Sequence, residues 1–326
     1  MAAQRAVVAW TDGHESDFGA DELRALVPRE VAQPWTAAAL ALLDVAVPYD
    51  AWMGTGSAGA GIGGIDVGLL RGLRLLAMHG LVRVEGVPAS EAATEAALLR
   101  IGPLMRTIYG PGMWRTEELP ASDARNTDAA YSREALAPHT DGAYMREPPG
   151  LQAFHCLTPD PGGGGASTLV DGAAIAEVLR RESPRAWRLL SDARRLRVEY
   201  AHVVGATAGK LRAERAVFDA AGRIAWNDAD RACVLLGRGS GGGASARAAL
   251  EALSALQHAS RKAALVARLA LQPGTLLVFD NERLLHGRDA VTGAGRVLTG
   301  AYLTRGVWRG RLLALESEEV GERGSV

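Results

Sequence analysis

His139-Thr140-Asp141, answered far along the chain by Asp280-Asn281-Glu282-Arg283-Leu284-Leu285-His286, is the pair of stretches whose reading decides the fold. Two imidazoles and one carboxylate make the three-ligand facial set suited to a ferrous ion, and they leave about half of an octahedral shell open. In an extended segment, residues i and i+2 point to one side, so His139 and Asp141 can grip an ion from one face. The third ligand must come from elsewhere. His286 is the candidate, because the apolar run Thr275-Leu276-Leu277-Val278-Phe279 just before it reads as a buried strand.

In a chain with seven histidines a His-x-Asp also arises by chance, as an ordinary turn. Its company raises its weight. Arg296 heads the segment Arg296-Val297-Leu298-Thr299-Gly300-Ala301-Tyr302-Leu303, which as a strand puts Arg296, Leu298, Gly300 and Tyr302 on one face. An inward guanidinium needs an anionic partner, since an unpaired buried charge costs several kcal/mol. A dicarboxylate cosubstrate would supply it.

The 326 residues are 48% hydrophobic with a net charge of -1, enough for one large core or two modest ones. Near-neutral charge without a basic run argues against nucleic acid or an anionic membrane as partner. No window reaches the roughly 18 apolar residues of a membrane span, and Met1-Ala2-Ala3-Gln4-Arg5 opens no signal peptide. The expectation is a soluble, cytoplasmic protein. Cys156 and Cys233 are too few for a disulfide framework and fit no zinc-finger spacing, so both are expected to be reduced and buried.

Glycines concentrate at 54–64, 162–165 and 237–243, which marks loops. The first and third read as mobile surface loops or lids; neither has the pattern of a phosphate cradle. Ser90 is expected to cap a helix carrying Leu98, Ile101, Met105 and Ile108, stopped by Gly110-Pro111. Asp171 should cap a second, with Ile175, Val178 and Leu179 inward, and Ser183-Pro184 should open a third. A longer helix is expected over 246–267. Short strands are expected at 151–157, 168–170, 196–200, 224–226, 276–279 and 297–303. Short strands, Gly-rich turns and an inward metal site suit an α+β, mainly β architecture: a double-stranded β-helix (jelly-roll) core, with helices buttressing one outer face.

His139-Thr140-Asp141-Gly142-Ala143-Tyr144, Glu147-Pro148-Pro149-Gly150-Leu151-Gln152, His155-Cys156-Leu157, Val170-Asp171-Gly172 and Asp280 to Arg288 together resemble the γ-butyrobetaine and trimethyllysine hydroxylases. These are Fe(II)- and 2-oxoglutarate-dependent dioxygenases related to taurine dioxygenase. The resemblance runs from about Gly80 to Leu313. It implies that His139, Asp141 and His286 ligate Fe(II), that Arg296 pairs with the distal carboxylate of 2-oxoglutarate, and that Ser167 hydrogen-bonds the same cosubstrate. Dioxygen (O2) is then the second cosubstrate. A carboxylate at Asp141 favours hydroxylation, because relatives that halogenate carry a small residue there.

By the same resemblance, Tyr109, Trp114, Tyr131 and Tyr302 are expected to cage a trimethylammonium group; each ring attracts a cation by roughly 0.5 to 2 kcal/mol. Packing in the core is the plainer reading of any one of them. Asp128, three residues before Tyr131, is similar to the trimethyllysine branch, where it would meet an α-ammonium; the γ-butyrobetaine branch places an amide there. Asn227 matches an amide that holds the substrate's carboxylate, and Leu303-Thr304-Arg305 also resembles the trimethyllysine branch. N6-trimethyllysine is therefore the first-choice substrate. The alternatives are γ-butyrobetaine, a trimethylammonium phosphonate or an unmethylated amino acid, and, from another class, a barrel that binds a ligand through zinc or nickel without turnover.

The family usually carries an N-terminal zinc domain. Residues 1–40 are expected to be its remnant, without the zinc site, ahead of a catalytic domain at 41–326. That domain often contributes to dimerisation, so a homodimer is possible. His14, His79, His155, His202 and His258 have no second ligand at i+2 or i+4 and are expected to be structural or surface histidines.

Overall fold

Runs rich in Val, Leu and Phe become the strands of two sheets, as their pleated, half-buried packing favours. The computed structural model describes residues 5–9, 11–19, 32–55, 66–107, 112–116, 132–192, 197–204, 207–231 and 242–323. In chain order the strands are β1 (Arg5–Ala9), β2 (Glu15–Gly19), β3 (Ala46–Pro48), β4 (Leu81–Glu85), β5 (Met113–Thr116), β6 (Leu136–His139) and β7 (Leu151–Thr158). They continue with β8 (Ser167–Asp171), β9 (Arg197–Val204), β10 (Thr207–Glu214), β11 (Ala267–Leu269), β12 (Thr275–Asp280), β13 (Leu284–Arg288) and β14 (Val297–Leu303).

One sheet has the order β3-β4-β12-β7-β14-β5, the other β11-β8-β13-β6; β1-β2 and β9-β10 form separate hairpins. Between the two large sheets lies a core in which Leu277, Phe279 and Leu298 of the first meet Leu169, Leu284 and Ala267 of the second. This is the expected jelly roll.

Helices cover both outer faces, not one. Leu276 and Val278, alternating with inward Leu277 and Phe279, pack outward on Leu69, Leu73 and Leu76 of helix Val67–His79 and Trp308 and Leu312 of helix Arg305–Arg323. On the other sheet, Val170 and Leu285 meet Ile175 and Leu179 of helix Gly172–Glu182 and Leu253 and Leu256 of helix Gly242–Ser260. The reason is visible in the strands: every residue of β8 and β13 is buried, so neither face could be left to water.

The cap expectations hold. Ser90 and Asp171 accept hydrogen bonds from the Ala93 and Ala173 amides, and Pro184 opens helix Pro184–Leu190. The Ser90 helix ends at Leu99, however, well before Gly110. Pro103 disfavours helical backbone at Gly102, and Met105 instead donates its amide to the Tyr302 carbonyl. The long helix runs Gly242–Ser260, and Ala267 belongs to β11. The stretch 224–226 is held by an isolated bridge from Ile224 to Phe218 rather than by a strand ladder.

Residues 33–40 pack into the jelly roll. Trp35 donates its amide to Asp171 and its indole N–H to the His79 carbonyl, and Trp35 and Leu40 share the inter-sheet core. His79 and His155 are buried, the latter 2.7 Å from Thr94 Oγ1, while His14 is exposed beside Asp12. Cys156 is a buried free thiol; Cys233 and the glycine stretches 56–64 and 237–241 lie outside the described residues. No helix among the described residues is long and apolar enough to cross a membrane.

Candidate metal centre

β13 and β6 are antiparallel neighbours, and their register sets His286 opposite His139. The imidazole centroids are 4.3 Å apart. His139 closes its strand and Asp141 lies two residues on, in the turn that follows, so the pair converges at the strand's end rather than within it. Asp141 Oδ1 stands 3.4 Å from His139 Nε2 and 3.7 Å from His286 Nε2. Among the described residues this trio is the one His/Cys/Asp/Glu cluster with metal-ligand spacing, its donor atoms all within 4.8 Å of one another.

The donors fit a metal. His139 Nδ1 lies 2.8 Å from the Ala137 carbonyl; as an N–H donor there, it leaves the Nε2 lone pair facing the centre. Bonds of about 2 Å to a shared ion would put neighbouring donors about 3 Å apart, close to the 3.4 and 3.7 Å that separate Asp141 Oδ1 from the two imidazole nitrogens. His286 Nδ1 has no hydrogen-bond partner among the described residues, and its imidazole packs against the rings of Phe154 and Phe279 at centroid distances of 5.5 and 5.1 Å.

Electrostatics within the trio are strongly coupled. Burial pushes the Asp141 carboxyl up, but the His139 hydrogen bond, the His286 and His139 charges and the Tyr302 hydroxyl outweigh it, and it stays well below the usual carboxylate range. Burial works against charge on His139 too, yet the bond and charge of Asp141 raise it overall. His286 is pushed down to about 3 by burial and by His139.

The trio opens on a cavity of about 790 Å³ that also holds Ser167, Arg296, Trp114, Asn227 and Tyr302. At one end, Arg296 donates to the Gly165 carbonyl at 3.0 Å. Gly165 has a φ of +67°, and a Cβ there would come within 2.9 Å of Arg296 Nε, so only glycine lets the guanidinium lie so close. Arg288 lines the same cavity, its guanidinium lowered to about 10 by burial and by the Arg296 charge. Buried Arg288, part-buried Arg296 and buried Ser167 together suit that part of the cavity to a carboxylate.

At the other side, Trp114 and Tyr302 stand 6.3 Å apart, and Phe154 meets Trp114 edge-on at 5.6 Å. Trp114 lies across β14 at Gly300, where a Cβ would fall 2.5 Å from its ring. Asn227 Oδ1 accepts the Ala229 amide, so the free end of its side chain is the NH2 donor, which suits a carboxylate acceptor. Tyr109, Asp128 and Tyr131 lie outside the described residues.

Gln152, Asn281, Tyr144 and Tyr200 were not picked out as site residues from the sequence, and neither was a role for Tyr302 at the metal centre. Gln152 and Tyr302 both donate to Asp141 Oδ2 at 2.7 Å, and Asn281 brackets the Asp141 main chain, accepting its amide and donating to its carbonyl. Tyr302 therefore grips the ligand carboxylate as well as lining the cavity. Tyr144 and Tyr200, stacked at 4.6 Å, also line the cavity. The available signal was polarity inside buried strands: Gln152 stands between Leu151 and Ala153 in a strand and is 2% exposed.

The family model described as taurine catabolism dioxygenase TauD, TfdA family matches residues 68–302. Mitochondrial trimethyllysine dioxygenase of Bos taurus is 32% identical over 316 residues, covering 91% of this chain and 68% of that protein. Its Homo sapiens counterpart is 34% identical over 251 residues, covering 73% and 55%. Gamma-butyrobetaine dioxygenase of Pseudomonas sp. (strain AK-1) is 30% identical over 321 residues, covering 96% and 79%. The chain thus spans only 55% to 68% of the length of these two trimethyllysine enzymes. Among solved structures, asparagine oxygenase in complex with Fe(II), 2S,3S-3-hydroxyasparagine and succinate superposes with a TM-score of 0.54 at 17% identity, covering 80% of this chain and 93% of that one. That likeness is one of fold.

Proposed function

This chain belongs to the taurine catabolism dioxygenase TauD, TfdA family, and on that premise we propose that it is an Fe(II)- and 2-oxoglutarate-dependent dioxygenase that hydroxylates an aliphatic C–H bond of a small quaternary amine, N6-trimethyllysine first. The observation that carries the reading is the donor trio of His139, Asp141 and His286 lining one cavity together with Arg296, Ser167 and the aromatic rings of Trp114 and Tyr302.

When bound, ferrous iron would couple oxidative decarboxylation of 2-oxoglutarate by dioxygen to insertion of one oxygen atom into an unactivated C–H bond, leaving succinate and carbon dioxide. The chain's own residues supply the rest. Arg296 and Ser167 orient the distal carboxylate of the cosubstrate. Trp114 and Tyr302 offer ring faces to a trimethylammonium group, which cannot hydrogen-bond and is held by ring electrostatics and contact area. The Asn227 amide donates to the substrate's carboxylate, and the family resemblance makes Tyr109 and Tyr131 candidates for the same cage and Asp128 a candidate partner for the α-ammonium.

A second reading, γ-butyrobetaine as substrate, draws on the gamma-butyrobetaine dioxygenase of Pseudomonas sp. (strain AK-1), 79% of whose length the chain covers. Succinate release across N6-trimethyllysine, γ-butyrobetaine, lysine and taurine separates the two. We expect the highest turnover with trimethyllysine; the highest turnover with γ-butyrobetaine would move the assignment to the other branch, and turnover with taurine alone would remove the cage. The buried thiol of Cys156 suits a reducing compartment such as the cytoplasm.

A further inference from the structure

We propose that Gln152 and Tyr302 form a two-donor clamp that restricts Asp141 to one ligand oxygen, and that Tyr302 thereby joins the substrate wall to the metal centre. The proposal rests on the metal-centre reading above. It starts from register: Tyr302 of β14 and Gln152 of β7 are directly opposed in an antiparallel pair, so their side chains leave the sheet side by side. Gln152 Nε2 and Tyr302 Oη each lie 2.7 Å from Asp141 Oδ2, both buried side chains at distances usual for donors to a charged acceptor.

Oδ1 faces the two histidine Nε2 atoms instead. With both of its in-plane lone pairs engaged, Oδ2 has none to offer a cation. The main chain is fixed as firmly: Asn281 accepts the Asp141 amide at 2.9 Å and donates to the carbonyls of Asp141 and Pro149 at 3.0 and 2.9 Å. The carboxylate can therefore neither swing nor slide. A second carboxylate oxygen on the ion would consume a coordination position that the bidentate cosubstrate or dioxygen needs.

Gln152 carries a signature of positioning rather than stability. Because the carboxylate claims its N–H2, the other end, Oε1, must be the acceptor, and it is buried with no partner among the described residues. An apolar residue of that size would avoid the desolvation penalty of the orphan oxygen. Tyr302 adds the link to substrate: its ring stands beside Trp114 in the cavity while its hydroxyl holds the ligand, so a cation packed on that ring fixes the hydroxyl too.

The test uses the full chain, metal-free, titrated anaerobically with cobalt(II) and followed by ligand-field absorption. Tyr302→Phe keeps the ring and removes one oxygen; Gln152→Met keeps the volume and removes the donor. Each variant, with circular dichroism like the parent's, should bind cobalt(II) about 10-fold more weakly with an altered spectrum, as loss of a partner to a metal ligand typically does. Tyr302→Phe should also release more succinate per hydroxylated product, with little change in KM for the amine. Affinity within about twofold of the parent and an unchanged spectrum in Tyr302→Phe would overturn the clamp, whether or not Gln152→Met folds. A parent chain that binds no cobalt(II) would instead sink the metal-centre reading itself.

Discussion

His286 stands directly across from His139 in the β13–β6 pair, so a single register decision brings together ligands separated by most of the catalytic body. A slip of one residue would turn one imidazole to the opposite face. Replacing either histidine with Ala removes one of three donors, and metal affinity should fall by more than the roughly 10- to 100-fold typical of losing an outer partner. Equilibrium dialysis with cobalt(II) checks this.

Metal affinity should also depend on pH with a definite sign. A ligating imidazole must be neutral, and His286, pushed down to about 3, already is. His139 titrates above its ordinary value. Binding therefore displaces one proton, from His139, below that raised pKa and none above it. Cobalt(II) affinity should fall about tenfold per pH unit on the acid side and level off on the alkaline side, measured from about pH 5.5 to 8.5.

Arg296→Lys keeps a charge but loses the planar fork. Because charge-assisted bonds contribute about 1.5 to 3 kcal/mol, KM for 2-oxoglutarate should rise roughly 10- to 100-fold while the fold is unchanged. Kinetics at saturating amine report it.

Asp160 should act on the same end of the cavity from a distance. Its carboxylate accepts from the Thr292 and Gly293 amides at 2.8 and 2.7 Å and from the Gly162 amide at 3.0 Å, tying the glycine loop to the segment ahead of Arg296. The Thr292 amide first, then those of Gly162 and Gly293, hold its pKa down at about 2. The stabilisation is thus present above the usual carboxylate pKa and is lost as pH falls through about 2. Asp160→Asn should raise KM for 2-oxoglutarate several-fold without changing the amine's KM, which paired kinetics would reveal.

Stability is expected to lean on Arg283 and Asp171. The carboxylate is fully buried, and Arg283 meets it at 3.3 and 2.8 Å while also donating to the Met78 and Gln33 carbonyls. Arg283→Met strands that charge and should cost about 3 to 5 kcal/mol in a denaturant midpoint measurement.

Most of the expected strands and the convergence of the donor trio were legible because they depend on local pattern: an apolar run before His286, a two-residue spacing at His139 and Asp141, capping residues at Ser90 and Asp171. What escaped was set by partners distant in sequence. That helices cover both sheets follows from strands buried on both faces, which apolar runs alone do not separate from one-sided burial. The role of Tyr302 as a ligand holder depends on its register with Gln152, a pairing no single stretch records. The early end of the Ser90 helix was readable in Gly102-Pro103, but the apolar spacing through Met105 masked it.

The most direct test of the account is turnover of N6-trimethyllysine under 18O2 with Fe(II) and 2-oxoglutarate, read by mass spectrometry. The account predicts a hydroxylated amine together with succinate carrying one 18O atom, both lost in Asp141→Ala. Unlabelled succinate, or labelled succinate with no hydroxylated quaternary amine at any amine concentration, would contradict it.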